Sequence, residues 1–193
     1  MSKAVEQSIK ERLKNISKRE GVGFNILMES FFLERFLVRI AKSQYRDHFI
    51  FKGGMCLDQY LDLGRETRDL DFLLQKIDSN REVVARMIGE IIKINHDDSI
   101  EFTDVSVDTL SIEHKKYPGY RLGVVGKLGQ IKQKISIDLG VGDVVRPRLL
   151  DVELMRDKIP IFEERVQLRI VKHHLATFPI TKRRLDSDGM LFY

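Results

Sequence analysis

A strict alternation of apolar and polar side chains marks one segment in the C-terminal half of this 193-residue chain. Over residues 131–139 the odd positions are apolar apart from one glutamine, and the even positions are Lys132, Lys134, Ser136 and Asp138. Successive side chains of a β-strand point to opposite faces of the sheet, so this pattern predicts a strand with one apolar and one polar face. Asp138 falls on the polar face near the strand end, where a carboxylate is able to bind a metal ion or accept a proton.

Helical periodicity dominates the N-terminal part, and strand patterns dominate from about residue 100 onwards. Apolar residues at three- and four-residue steps predict helices over 2–18, 25–43 and 55–63. Ser79-Asn80-Arg81-Glu82 has the form of a capping box and predicts a further helix to residue 94. Strands are predicted over 69–74, 100–107, 110–113, 120–126 and 131–139. The chain is therefore predicted to be α+β, and only weak periodicity follows residue 145.

Composition narrows the class of protein. Apolar residues make up 42% of the chain and charged residues 32%, which excludes a disordered or fibrous protein. No apolar run reaches the ~18 residues of a membrane span, and the first residues lack the apolar core of a signal peptide. A single cysteine, Cys56, excludes an internal disulfide and a cysteine-based zinc site. We therefore expect a cytoplasmic protein with no membrane partner.

Basic side chains gather towards both ends of the chain, whose net charge is +4. Residues 1–46 hold ten Lys and Arg against five acids, and residues 165–184 hold six and no acid. Basic ends around a more acidic middle suit a polyanion that lies across the molecule. A solvated basic surface is the alternative, and the sequence leaves both open.

Two glycines follow a short apolar run and precede a predicted helix, in Phe51-Lys52-Gly53-Gly54. Residues without a Cβ let backbone N–H groups approach a phosphate, and the N-terminus of a helix adds donors and partial positive charge. Lys52 adds a full charge. A phosphate-binding turn and an ordinary turn both fit this segment.

Asp69-Leu70-Asp71 lies on a predicted strand, so both carboxylates point to one face. Two carboxylates held side by side repel each other unless a cation lies between them, and oxygen ligands of this kind suit Mg²⁺. Asp138, from the later strand, is a third ligand or a proton acceptor, and Asp143 in the following loop is a second candidate. A pair of solvated acids at a strand end is the alternative interpretation.

These features in this order resemble a known family. The most specific segment is 51–72, with the glycine pair and Arg65-Glu-Thr-Arg-Asp-Leu-Asp-Phe. Further matching segments lie at 29–37, 45–55, 117–122 and 137–143. Over roughly residues 6–165 the chain resembles the AbiEii/AbiGii toxin family, which belongs to the nucleotidyltransferase superfamily with a polymerase-β-like core.

The resemblance implies an α+β nucleotidyltransferase core with a mixed sheet and a helical N-terminal segment. It implies the toxin of a bacterial toxin–antitoxin or phage-defence (abortive infection) pair. Such an enzyme transfers a nucleotide from an NTP to an acceptor, which in some relatives is the 3′ end of tRNA. Its expected partner is the cognate antitoxin.

Site residues also follow from the resemblance. The acids expected to serve catalysis and to hold Mg²⁺ or Mn²⁺ are Asp69, Asp71 and Asp138. The residues expected to bind the triphosphate are Lys52, Gly53, Gly54 and Arg65.

The C-terminal part departs from the family pattern. Family members carry an Ala-Glu-Lys helix and later a Lys-Asp-x-Tyr-Asp element, and neither occurs in this sequence. We expect a truncation or frame shift near residue 168, with a shorter subfamily as the alternative. The predicted organisation is a helical segment over 1–47, a nucleotidyltransferase core over 48–145 and a remnant or altered part over 146–193. A remnant that binds nucleotide or antitoxin without turnover, and a metal-dependent nuclease, are the alternative functions.

Overall fold

The computed structural model describes residues 3–58, 67–78, 80–110, 119–142, 147–154 and 164–171. Within these ranges the helices are α1 (Lys3–Glu20), α2 (Phe24–Lys42), α3 (Gly53–Asp58) and α4 (Arg81–Ile91), with a 3₁₀ turn at Arg46–His48. The strands are β1 (Phe49–Lys52), β2 (Asp69–Leu74), β3 (Glu101–Leu110), β4 (Gly119–Leu128), β5 (Ile131–Val141), β6 (Pro147–Leu154) and β7 (Glu164–Val171). None of the helices described in these ranges is both long and apolar enough to cross a bilayer.

The described strands form one mixed sheet in the order β3-β4-β5-β2-β1-β7-β6. β2 is parallel to β5 and β1 is parallel to β7, whereas the other neighbours are antiparallel. The two short strands β1 and β2 therefore lie in the middle of the sheet, with later and longer strands on both sides. The predicted α+β class with a mixed sheet and a helical N-terminal segment is confirmed.

One face of the sheet is apolar and carries the helices. Leu70 and Phe72 of β2 pair in register with Ile137 and Leu139 of β5, and all four are buried. α2 packs against the sheet, and apolar residues of α1 and α4 join the same core. The predicted apolar stripe of α2 is fully buried and consists of Leu27, Phe31, Phe32, Phe36, Leu37 and Ile40.

Gly126 on β4 lets α2 lie close to the sheet. A Cβ built on Gly126 would be 2.4 Å from Cδ1 of Phe32 and 3.1 Å from Cε1 of Phe102. The rings of Phe32 and Phe102 meet edge to face with their centroids 6.5 Å apart. Because protein interiors are close-packed, a methyl group at residue 126 would displace this aromatic pair.

A buried ion pair joins α2 to the turn before β3. Nη1 and Nη2 of Arg39 donate to Oδ2 and Oδ1 of Asp98 at 2.8 and 2.9 Å. The same guanidinium donates to the backbone carbonyls of Arg35 and Ile100, and it lies 4.8 Å from the ring centroid of Phe102. Both charged groups are almost completely buried, so each depends on the other for its compensating charge.

Most of the predicted elements are confirmed, with small differences at their ends. The predicted helices over 2–18 and 25–43 are α1 and α2, and the strand over 69–74 is β2. The predicted strands over 100–107, 120–126 and 131–139 are β3, β4 and β5. The predicted helix over 55–63 begins already at Gly53, and its residues after 58 lie outside the described ranges, as do 111–113 of the weak strand.

The start of α4 differs from the capping box predicted at residue 79. Asn80 has an extended backbone, and its side chain accepts a hydrogen bond from the backbone N–H of Val83 at 2.9 Å. Asn80 is therefore the N-cap, one residue later than predicted. Asparagine and serine both cap helices, so the sequence alone does not decide between neighbouring candidates.

The strands β6 and β7 are missed by the sequence analysis. Val166, Leu168 and Ile170 of β7 are buried and alternate with polar residues, but the pattern is short and stands among prolines. The pairing of Phe51 with Ile170 shows that β7 lies beside β1. A strand from the region predicted as altered therefore pairs with one of the two central strands of the sheet.

We predict that Asp98→Ala destabilises the fold strongly, by about 3–5 kcal/mol, because it leaves the Arg39 guanidinium buried without its carboxylate. Urea unfolding measures the change. The control is Asp47→Ala, which removes the exposed ion pair of Asp47 with Arg169 and should cost less than about 1 kcal/mol. Equal losses in the two variants would contradict the stabilising role assigned to the buried pair.

Candidate active site

Gly53, where α3 begins directly after β1, lies against the carboxylate of Asp71. Its φ of +74° is in the left-handed region that favours glycine. A Cβ added to Gly53 would lie 1.9 Å from Oδ2 of Asp71. Glycine is therefore required at this position by the backbone conformation and by the carboxylate that occupies the place of a side chain.

Asp71 and Asp138 lie side by side on neighbouring strands. β2 and β5 are parallel, and their register pairs Asp71 with Asp138 and Asp69 with Ser136. The three acids are half-buried and lie on the face opposite to the buried Leu70. Like charges that stand opposite each other in a sheet are destabilising, so this pair needs positive charge nearby.

Lys52 provides positive charge on the same face. It pairs in register with Asp71 on the side away from β5. Its Cε lies 3.9 Å from the position that a Cβ of Gly140 would take. Because Gly140 belongs to β5, the lysine side chain reaches across β2, over the face that carries the acids.

Arg121 of β4 provides a second positive charge, and it contacts Asp138 directly. Nε of Arg121 donates to Oδ1 of Asp138 at 2.8 Å, and Nη2 donates to Oδ2 at 2.7 Å. The pKa of the guanidinium is raised, first by this hydrogen bond and then by the charge of Asp138, and the charges of Asp69 and Asp71 add to the effect. The arginine therefore lies in the field of all three acids.

Arg121 belongs to the family-like segment 117–122, but the sequence predicts no role for it. Arg121 alternates with the buried Tyr120 and Leu122, so strand periodicity puts it on the polar face. Its register partner on β5 is Asp138. The alternation was available from the sequence, whereas the register that joins the two residues was not.

The donor set has the chemistry that a divalent cation requires, because it consists of carboxylate oxygens on one polar face. Within the described ranges, no three acidic, histidine or cysteine side chains are already gathered around one point as a metal cluster. Both oxygens of Asp138 bond to Arg121, and Asp71 lies against Gly53. The carboxylates fit such an ion in kind and lie on one face of the sheet, and gathering them around it needs the Asp138 carboxylate to turn from the arginine.

Three predicted site residues remain, namely Gly54, Arg65 and Asp143. Gly54 lies in the first turn of α3. Arg65 and Asp143 lie outside the described residues. Burial raises the pKa of the Cys56 thiol, two residues after the glycine pair, to about 12 and so disfavours the reactive thiolate.

The solved structures that resemble this chain include two proteins of Helicobacter pylori. One is the JHP933 protein, with 15% sequence identity, a TM-score of 0.49, and alignment over 79% of this chain and 54% of that protein. The other is a candidate nucleotidyltransferase, with 16% identity, a TM-score of 0.44, and alignment over 80% of this chain and 56% of that protein. The chain thus spans little more than half the length of either structure. A search of curated proteins finds no match.

The sequence profile of one family matches residues 35–165, which is more than half of the chain. The matched region contains β1 to β5, the glycine turn and all three acids. The resemblance inferred from the sequence motifs is confirmed, and with it the nucleotidyltransferase core. The chain belongs to the family of the nucleotidyl transferase AbiEii toxin of type IV toxin–antitoxin systems.

Proposed function

We propose that this protein transfers a nucleotide from an NTP to an acceptor hydroxyl in a reaction that depends on Mg²⁺ or Mn²⁺. The observation that carries the proposal is the pairing of Asp71 with Asp138 in register, on the polar face of the sheet and beside Gly53. The glycine turn, the paired acids and the later acid all lie within the region that matches the family profile.

Each predicted residue has a proposed role. Asp69 and Asp71 hold the divalent cation, and Asp138 completes the site or accepts the proton of the acceptor hydroxyl. Lys52 and the backbone N–H groups at Gly53 and Gly54 bind the triphosphate, and the family pattern assigns Arg65 to the same task. A bound divalent cation neutralises phosphate charge and supports an in-line displacement.

The reaction forms a bond between the acceptor oxygen and the α-phosphorus and breaks the bond from the α-phosphorus to the bridging oxygen, so that pyrophosphate leaves. The hydroxyl proton passes to a carboxylate or to solvent. The side chains of this site orient the two reactants and surround them with fixed charge, which is how most phosphoryl-transfer enzymes lower the barrier.

The acceptor and the partner are proposed from the family. We propose RNA, specifically the 3′ end of tRNA, as the acceptor, and the cognate antitoxin as the protein partner in the cytoplasm. On the polar face, Lys132 and Lys134 are exposed on the strand that carries Asp138. Such positive charge favours a polyanionic acceptor over a small neutral alcohol.

The division into segments 1–47, 48–145 and 146–193 stays a prediction.

We predict that Asp71→Asn lowers nucleotide transfer by at least ~100-fold, because the site loses a ligand for the divalent cation. Incubation with each labelled NTP, Mg²⁺ and total tRNA measures the transfer. Asp97→Asn, which changes an exposed acid away from this face, is the matched control and should act as wild type.

Three results would contradict this assignment. Equal transfer by wild type and Asp71→Asn would remove Asp71 from the site. Binding of Mg·NTP in calorimetry without transfer to any acceptor would favour the remnant that binds without turnover. Shortening of the RNA instead of labelling would favour a nuclease that uses the same acids.

We predict that Gly53→Ala abolishes transfer and costs about 1–3 kcal/mol in stability, because alanine strains the left-handed backbone and displaces the Asp71 carboxylate. Gly89→Ala is the control, since a Cβ at this position of α4 has nothing within 4 Å, and it should stabilise the helix by about 0.5–1 kcal/mol. Urea unfolding and the transfer assay measure the two effects. Full activity of Gly53→Ala would contradict the role of the glycine.

A further inference from the structure

The proposed function leaves Arg121, a charged group beside the three acids, without a role. Arg121 forms a two-pronged ion pair with Asp138, with distances of 2.8 and 2.7 Å. Among the described residues, Asp138 is the only carboxylate within ion-pair distance of this guanidinium. The contact joins the polar faces of β4 and β5, where the register pairs the two residues.

The ion pair with Arg121 engages both carboxylate oxygens of Asp138. A carboxylate that accepts from both prongs of a guanidinium is fixed in its plane and in its direction. Asp71, the neighbour of Asp138 in the parallel ladder, has its Oδ2 at the empty side-chain position of Gly53 on the other flank. The two carboxylates thus lie towards opposite flanks of the ladder, Asp138 towards β4 and Asp71 towards the start of α3, as expected for like charges.

We propose that Arg121 is a positioning residue that takes the place of a divalent cation at Asp138 and competes with it. The inference rests on the proposed function, because it concerns the acid that completes the metal site. While the guanidinium holds Asp138, this carboxylate does not turn towards Asp69 and Asp71. Entry of the ion releases Arg121, and the three acids then face one point.

The exposure of the arginine makes this exchange feasible. The Arg121 side chain is 54% exposed, whereas that of Asp138 is 21% exposed. Exposed ion pairs contribute little to stability, so the guanidinium can leave for solvent at small cost. A buried pair such as Arg39 with Asp98 could not separate in this way, because both charges would lose their compensation.

Titration of the protein with Mn²⁺, followed by the electron paramagnetic resonance signal of the free ion, tests the proposal without any catalytic assay. Arg121→Met keeps the length of the side chain and removes its charge. We expect this variant to bind Mn²⁺ about fivefold more tightly than wild type, because the competing ion pair and the repulsion of the ion are both gone. Arg121→Lys keeps the charge but loses the two-pronged contact. Its affinity for Mn²⁺ should lie between those of wild type and Arg121→Met.

Arg169→Met is the matched control, because it removes an arginine on β7, two strands away from Asp71, that bonds to Asp47 through Nε at 2.9 Å. It should leave Mn²⁺ affinity unchanged. The double variant Arg121→Met with Asp138→Asn should bind Mn²⁺ no more tightly than Asp138→Asn alone, since the carboxylate that links Arg121 to the ion is absent.

Thermal unfolding, measured with and without Mn²⁺, provides a second test that distinguishes the proposed role from a merely structural one. In EDTA, Arg121→Met should unfold at a lower temperature than wild type, because the repulsion between Asp71 and Asp138 then lacks the compensating charge of the guanidinium. Saturating Mn²⁺ should stabilise the variant more than wild type, since it binds the ion more tightly. A structural role alone would lower the unfolding temperature equally with and without the ion.

Weaker or unchanged Mn²⁺ binding by Arg121→Met would overturn the proposal, even if nucleotide transfer by wild type is observed. If neither wild type nor any variant binds Mn²⁺, the metal site of the proposed function fails, and this inference fails with it. The two failures are therefore distinguishable by the wild-type titration.

Discussion

Two carboxylates in register on neighbouring parallel strands impose the main electrostatic constraint on this protein. Parallel pairing of β2 with β5 fixes Asp71 beside Asp138, and no change of rotamer can remove both charges from the same face. The structure meets the constraint with Lys52 reaching over from β1 and Arg121 from β4. The glycine turn belongs to the same arrangement, because Asp71 needs the space that a side chain at residue 53 would fill.

The opposite face of the sheet keeps this polar arrangement in place. Leu70 and Phe72 alternate with the acids of β2 and are anchored in the core beneath α2. A slip of one residue in the register of β2 would bury the carboxylates and expose the apolar side chains. The hydrophobic core therefore selects the register, and the register brings the acids together. Gly126 supports this core packing, because the absence of a side chain lets α2 lie close to β4.

Local patterns predicted much of the fold and part of the site. The alternation in 69–74 and 131–139 identified β2, β5 and the face on which the acids lie, because a period of two is a property of the single strand. Which strands are neighbours depends on long-range packing, so the contact of Arg121 with Asp138 could not be read from either segment. The strand β7 was not predicted because its alternation is short and stands among prolines, and its place beside β1 likewise depends on long-range packing. The contact of Gly53 with Asp71 likewise joins two segments that the sequence shows only as separate motifs.

The parallel pairing of β7 with β1 has a consequence for how the chain acquires its shape during synthesis. More than a hundred residues separate the two strands, so β1 has an open hydrogen-bonding edge until the ribosome has delivered residue 171. Closing so large a loop is entropically unfavourable and slow, and an unpaired edge in a nascent chain is a place where other strands can add. The strand order thus leaves the edge of β1, next to the glycine turn, without its strand partner until almost all of the described chain has been synthesised.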